Sequence, residues 1–135
     1  MKIYTSYFGN AKKLHEAKIE MVNIARYKPR YFSGFSIPSV APLPFMLKDD
    51  MTVEEYVVHY NKLVLEPLNI EKFLQTLESL SGGKDVALCC YEKPGQFCHR
   101  HLLAEWLNKK GGLDIKEFGV KEEKVVEEAP TLFLL

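Results

Sequence analysis

The residues with the clearest potential for chemistry lie in one short segment that begins at Cys90 and ends at Arg100. Between these two residues the segment also contains Glu92, Cys98 and His99. A cysteine becomes a strong nucleophile when its thiol pKa is lowered, as happens at a helix N-terminus and beside histidine or arginine. We therefore predict Cys98 as a candidate catalytic thiolate, with His99 as the proton carrier and Glu92 orienting His99 or a cation.

The same segment predicts a second use, which is the binding of an anion. Arginine can hold a phosphate or carboxylate through two parallel hydrogen bonds, and the unpaired N–H groups at a helix N-terminus favour negative charge. The preferred hypothesis is a site for a phosphate- or nucleotide-like small molecule, and a thiol-dependent enzyme is the alternative, so enzymatic activity stays open. The residues expected to bind the ligand are Arg100, Arg26, Arg30, Ser6, Asn10 and Cys90.

Three other interpretations of the cysteines and the histidine are also open. Cys90, Cys98 and His99 are of metal-ligand types, but their spacing belongs to no common zinc pattern and a fourth ligand is not evident. No metal and no cofactor are therefore predicted. Cys90 and Cys98 can form a redox pair if the fold brings them together. Both can equally be small buried hydrophobes, with His99 donating a structural hydrogen bond.

The elements that must position these residues are a strand and a helix. Residues 86–91 are a continuous apolar run between Gly82-Gly83 and Pro94-Gly95, which is typical of a strand buried on both faces. Further strands are predicted at residues 2–8, 21–25 and 114–118. By the period of two, Cys90 and Glu92 share one face of the strand and Cys89 lies on the other as a core residue.

Three helices are predicted from capping signals and apolar spacing. Thr52 and Glu55 form a capping box before a helix over 53–65. Asn69 caps a second helix, which ends at Gly82 and Gly83, and a third helix runs over 98–110. On this third helix Cys98 and His99 lean toward the sheet, whereas His101 and Glu105 are expected to form an ordinary pair on a solvated face.

Strands that alternate with helices predict an α/β fold, a single domain over 1–135 with a mostly parallel sheet covered by helices in a Rossmann-like three-layer arrangement. Ligands of such sheets bind beyond the carboxyl ends of the strands, which is why residues after the first two strands are included in the predicted site. Residues 26–50 are too apolar for a disordered linker and are predicted as an ordered loop. Residues 121–135 form a charged and then apolar tail, expected to dock onto the domain.

Composition narrows the classes of partner. Eighteen basic residues balance eighteen acidic ones among 135, so the long-range field that attracts a protein to nucleic acid or an anionic membrane is missing. The interleaved basic and aromatic residues of 26–32 leave a nucleic-acid-associated accessory protein as a third hypothesis, which is not favoured. No apolar stretch approaches the roughly 20 residues that span a bilayer. Three cysteines in one place make a poor disulfide framework, so a cytoplasmic location is expected.

The segment from Leu88 to Arg100 resembles the hallmark of the Domain of Unknown Function 488 family, in which a strand ends in Cys-x-Glu and Cys-His-Arg follows at the start of a helix. Further similarities are Tyr4-Thr5-Ser6-Tyr7-Phe8, Ile24-Ala25-Arg26 with Pro29, and Ala41-Pro42, so the resemblance covers most of the chain. It places the family pattern on Cys90, Glu92, Cys98, His99 and Arg100, with Cys89 outside it. The resemblance implies a compact α/β domain of bacteria, archaea or their phages, without an established activity.

Overall fold

A computed structural model describes residues 1–120 of the chain. Its centre is one five-stranded sheet with the strand order β3-β2-β4-β1-β5, in which every neighbouring pair is parallel. The prediction of a parallel sheet is therefore confirmed. The strands are β1 (Ile3–Tyr7), β2 (Glu20–Asn23), β3 (Phe35–Ser36), β4 (Val86–Cys90) and β5 (Lys116–Glu117).

The predicted apolar strand is the middle of this sheet. All five residues of β4 are buried, because β4 pairs with β2 on one side and β1 on the other. Its register places Tyr7 opposite Cys90, and Asn23 opposite Cys89. The carboxyl ends of β1, β2 and β4 thus lie together at one edge of the sheet, as the α/β prediction requires.

Four helices accompany the sheet within residues 1–120, and the predicted caps are present. They are α1 (Ala11–Glu16), α2 (Val53–Tyr60), α3 (Ile70–Ser81) and α4 (His99–Gly111). The capping box of Thr52 and Glu55 starts α2, and the Asn69 side chain accepts a hydrogen bond from the Lys72 N–H at the start of α3. A π-helical segment, Asn61–Leu65, continues α2 over the rest of its predicted span.

The helices and the sheet form three layers. One face of the sheet packs against α2, α3 and α4, with Leu88, Tyr60, Leu77 and Leu103 among the buried residues of this layer. The other face packs against α1 and the chain after β2, in a smaller cluster that includes Cys89. The predicted three-layer α/β fold is confirmed, and so is the core position of Cys89.

The long segment 26–50 is ordered, but it is not only a loop. It contributes the edge strand β3, whose residue Phe35 pairs with Val22 of β2, and two 3-10 turns, Pro38–Val40 and Pro44–Leu47. The second turn places Met46 in the core against α2, and the Tyr60 hydroxyl donates a 2.6 Å hydrogen bond to the Val40 carbonyl. The predicted tail, 121–135, lies outside the described residues. Within residues 1–120, no helix is both long enough and apolar enough to cross a bilayer.

Candidate functional site

The two cysteines of the predicted site meet where β4 leads into α4. Cys90 is the last residue of β4, Cys98 is the N-cap of α4, and a disulfide bond joins them across a Cα separation of 7.5 Å. The intervening loop returns the chain to the edge of the sheet through a turn at Gly95, which has a positive φ of 89°. The pairing is one of the alternatives that the sequence left open, although an odd, crowded set of cysteines did not favour it.

His99 is held in a defined tautomer beside Cys98. Its Nε2 atom lies 2.7 Å from the Ile24 carbonyl oxygen, and because a carbonyl only accepts, Nε2 must carry the hydrogen. The lone pair is then on Nδ1, which lies 3.8 Å from Cys98 Sγ. Burial, together with the nearby Arg100 charge, lowers the pKa of His99 to about 4, so the ring is neutral near pH 7.

Arg100 is a structural cation rather than an open anion binder. Its side chain is fully buried, and Nε and Nη2 each donate a 3.0 Å hydrogen bond to one carboxylate oxygen of Glu117 in β5. Nη1 donates to the Glu92 carbonyl at 2.7 Å and to Cys90 Sγ at 3.0 Å. The prediction that Arg100 grips a ligand does not fit this geometry, because its bidentate partner is the chain's own carboxylate.

Glu117 is the main residue near the site that the sequence analysis did not predict. It is buried, and besides Arg100 it accepts a 2.6 Å hydrogen bond from Thr5 Oγ1. Thr5 and Glu117 face each other because β1 and β5 pair in that register. A glutamate inside the last predicted strand, at 114–118, was the available signal, since an acidic residue in a buried strand needs a partner.

A cavity of about 290 Å³ opens against the start of α4. Cys90, Cys98 and His99 line it, and each of them exposes 5% or less of its surface. Its apolar wall comes from the loop 26–50, from the beginning of α2 with the residue Met51 before it, and from the loop before α4. The wall includes Met46, Met51, Val53, Tyr56 and Phe97. The volume lies just below the lower end of the range typical of small-molecule pockets.

Glu92 brings a negative charge to this cavity. Its side chain is half-buried, and its Oε2 atom is buried without a hydrogen-bond partner among the described residues. Tyr56 also lines the cavity. Burial, and after it the Glu92 charge, raises the pKa of the Tyr56 hydroxyl. A buried carboxylate oxygen without a partner is costly, so it marks a position where a ligand, water or ion would be stabilised.

The remaining predicted ligand residues divide into two groups. Arg26 lines the cavity, half-buried, and Nε donates a 2.9 Å hydrogen bond to the Pro42 carbonyl. Arg30 is exposed and does not line the cavity. Ser6 and Asn10 are joined by a 3.2 Å hydrogen bond between their side chains, and neither borders the cavity. The structure thus brings Arg26 to Cys90, Glu92, Cys98 and His99, and leaves the other three apart.

Two surface predictions have different outcomes. His101 was expected on a solvated face in a pair with Glu105, but it is half-buried, and Glu105 instead forms an ion pair with Lys109 at 3.7 Å. Burial and the Arg100 charge lower the pKa of His101 to about 4. Along 26–32, the Tyr31 side chain is 75% exposed, so the basic and aromatic residues of the nucleic-acid hypothesis do lie partly at the surface.

Two cysteine sulfurs and one histidine nitrogen are suited to bind soft metal ions as well as to thiol chemistry. Cys90, Cys98 and His99 each offer one ligand atom, and these atoms all lie within 4.8 Å of one another. The fold and site together define a class of three-layer α/β proteins with a cysteine pair and a histidine at the carboxyl edge of a parallel sheet.

The chain belongs to the DUF488 family, whose function is uncharacterised. Residues 7–111 match the family model DUF488-N3a, described as the active DUF488-N3 subclade. This confirms the resemblance seen in the Cys90 to Arg100 segment. No curated protein and no solved structure matches the chain.

Proposed function

We propose that the protein is a thiol-dependent enzyme that acts on a small molecule in the cavity, with Cys98 as the nucleophile. One observation carries this proposal. Cys98 lines the cavity at the N-terminus of α4, and its Sγ is bonded to Cys90 Sγ and lies 3.8 Å from Nδ1 of His99. The word "active" in the description of the family model is in keeping with an enzyme.

The reduced state is the one that attacks. When the disulfide is reduced, Nδ1 of His99 is placed to accept a hydrogen bond from the Cys98 thiol, because Nε2 already carries the hydrogen that binds the Ile24 carbonyl. The positive end of the α4 dipole stabilises the thiolate that forms when this proton is lost to solvent. His99 therefore acts on the nucleophile itself, and the Ile24 carbonyl keeps its ring in place.

Cys90 is suited to the second half of a dithiol reaction. Arg100 donates a 3.0 Å hydrogen bond to Cys90 Sγ, which favours the thiolate form of this cysteine. The Cys98 thiolate attacks one sulfur of a substrate disulfide, forms a mixed disulfide and releases the first substrate thiolate. The Cys90 thiolate then attacks Cys98 Sγ, releases the second substrate thiolate and forms the Cys90–Cys98 disulfide. The substrate gains two electrons from the protein, and an external thiol reductant restores the dithiol.

The experiment measures thiol release from oxidised glutathione and from cystine by the pre-reduced protein. We expect two thiols per chain in a single turnover. Cys98→Ser should abolish the release, whereas Cys90→Ser should release one thiol and leave a mixed disulfide on Cys98, visible by mass spectrometry. Cys89→Ala is the matched control, because this buried cysteine lies on the opposite face of β4 and should react like the wild type. A folded Cys98→Ser protein that still releases both thiols would refute the assignment.

A second candidate function is the binding of an anionic small molecule, and the position of Arg26 supports it. This cation lines the cavity together with Lys48, and the N-terminus of α4 faces the same space. A phosphate- or nucleotide-like group would therefore bind to Arg26 and the helix N–H groups, without Arg100. Titration calorimetry with inorganic phosphate and AMP tests it: binding to the wild type that is lost in Arg26→Gln and kept in Arg30→Gln supports this ligand class, and equal binding by all three proteins contradicts it.

A further inference from the structure

We propose that the reduced site also binds one thiophilic divalent metal ion, Zn²⁺ foremost, through Cys90 Sγ, Cys98 Sγ and His99 Nδ1. This goes beyond the proposed function, because disulfide reduction by the two thiols requires no metal. The spacing of these residues along the chain matches no common zinc pattern, so the inference depends on their positions in the fold.

The three ligand atoms are close enough for one ion. Tetrahedral zinc binds sulfur at about 2.3 Å and nitrogen at about 2.0 Å, so neighbouring ligand atoms lie roughly 3.5–3.8 Å apart. All three atoms here lie within 4.8 Å of one another. The Cα atoms of Cys90 and Cys98 are 7.5 Å apart, wider than the roughly 4.4–6.8 Å of most disulfides. Once the bond is reduced, side-chain rotation alone can therefore separate the sulfurs to the spacing that an ion needs.

His99 already has the environment of a metal-binding histidine. Such a histidine donates its second ring N–H to a carbonyl or carboxylate, which fixes the ring and leaves the other nitrogen for the metal. The 2.7 Å hydrogen bond from Nε2 to the Ile24 carbonyl does this, and Nδ1 is the nitrogen that faces Cys98.

The charges around the three ligands favour the same occupant. Two thiolates balance a divalent ion, and the Arg100 hydrogen bond to Cys90 Sγ supports the thiolate from outside the coordination sphere. These three residues would leave the fourth position to a water molecule from the cavity that they line. An open fourth position of this kind is usual in catalytic rather than structural zinc sites.

Metal binding and the disulfide exclude each other. A dithiol reductant supplies the two electrons and two protons that convert the disulfide to two thiols, and metal uptake then releases the two thiol protons. Oxidation of the pair by a disulfide expels the ion. Bound metal should therefore inhibit thiol release from oxidised glutathione, and a chelator should restore it.

The experiment is anaerobic titration of the reduced, desalted protein with Co²⁺ and then Zn²⁺. We expect one Co²⁺ per chain, with intense visible ligand-field bands of a tetrahedral ion and a thiolate charge-transfer band, all displaced by Zn²⁺. Cys98→Ser, Cys90→Ser and His99→Gln should each weaken Co²⁺ binding by at least tenfold, and Cys89→Ala should bind like the wild type.

The oxidised wild-type protein gives a control that no mutation can disturb. It retains the same fold and sequence, so it should show no thiolate charge-transfer band until reductant is added. Absence of the bands in the reduced, folded wild type would overturn the metal site, as would a Co²⁺ affinity of Cys90→Ser equal to that of the wild type. Neither result affects the proposed enzyme, because thiol release is measured separately in chelator-treated protein.

Discussion

At the scale of single residues, the buried pair of Arg100 and Glu117 decides how the site is built. The guanidinium is fully buried and the carboxylate nearly so, and they share two hydrogen bonds of 3.0 Å. Because Nη1 of Arg100 also contacts Cys90 Sγ, this pair links the edge strand β5 to the thiols. Breaking such a pair leaves an uncompensated charge in the interior.

We predict that Glu117→Gln lowers the free energy of unfolding by about 3–5 kcal/mol. The amide cannot neutralise Arg100, which stays buried and charged. Urea denaturation followed by circular dichroism measures the change. Glu105→Gln is the control: its partner Lys109 is exposed, so its loss should cost at most about 1 kcal/mol. Equal effects of the two substitutions would contradict the buried position of Arg100.

At the scale of elements, the beginning of α2 forms one wall of the cavity. Thr52, Val53 and Tyr56 all line it, and the Thr52 hydroxyl accepts a 3.1 Å hydrogen bond from the Glu55 N–H. The Glu55 side chain in turn accepts one from the Thr52 N–H at 3.0 Å. The capping box therefore fixes where this wall begins.

We predict that Thr52→Ala lowers the free energy of unfolding by about 1 kcal/mol, because the Glu55 N–H at the start of α2 loses its side-chain acceptor. Thermal unfolding monitored by circular dichroism detects it. Thr76→Ala is a matched control on the exposed side of α3, where the hydroxyl bonds only to the Lys72 carbonyl in its own helix. That control should cost little or even stabilise the helix, and a larger loss in Thr76→Ala than in Thr52→Ala would contradict the role of the cap.

The elements also show how far the sequence could lead. The buried run of β4 and the caps of α2 and α3 were predictable, because each depends on local spacing and side-chain chemistry. The short helix α1, with Leu14 as its buried residue, and the two-residue strand β3 gave too little periodicity. The pairing of Arg100 with Glu117 was not predictable either, because it depends on the register of β5 against β1.

At the scale of the whole molecule, two buried histidines make stability depend on pH. Burial lowers the pKa of both His99 and His101 to about 4 in the folded protein. In the unfolded chain a histidine titrates near its ordinary value of about 6.5. Between these values the unfolded state binds more protons, so folded-state stability falls as the pH falls from about 6.5 toward 4.

We predict that the free energy of unfolding is nearly constant above pH 7 and decreases below about 6.5, by at most about 1.4 kcal/mol per pH unit for each histidine. Urea midpoints at about pH 7.5, 6 and 5 measure the slope of stability against pH, because these values cover the range in which the histidines of the unfolded chain gain protons. His101→Gln should reduce the slope while leaving His99 in place. A slope that is the same in wild type and variant would show that His101 does not remain neutral in the fold.

The strand order has a consequence for folding during synthesis on the ribosome. β1 and β2 come first along the chain, yet β4 separates them in the sheet, so they share no ladder until residues 86–90 are inserted between them. The first half of the chain therefore contains two strands, β1 and β2, that join one sheet only when β4 is present. The sulfur pair and the cavity beside it form only after that late insertion, so a chain that ends before Cys90 has neither the site cysteines nor the strand that joins β1 to β2.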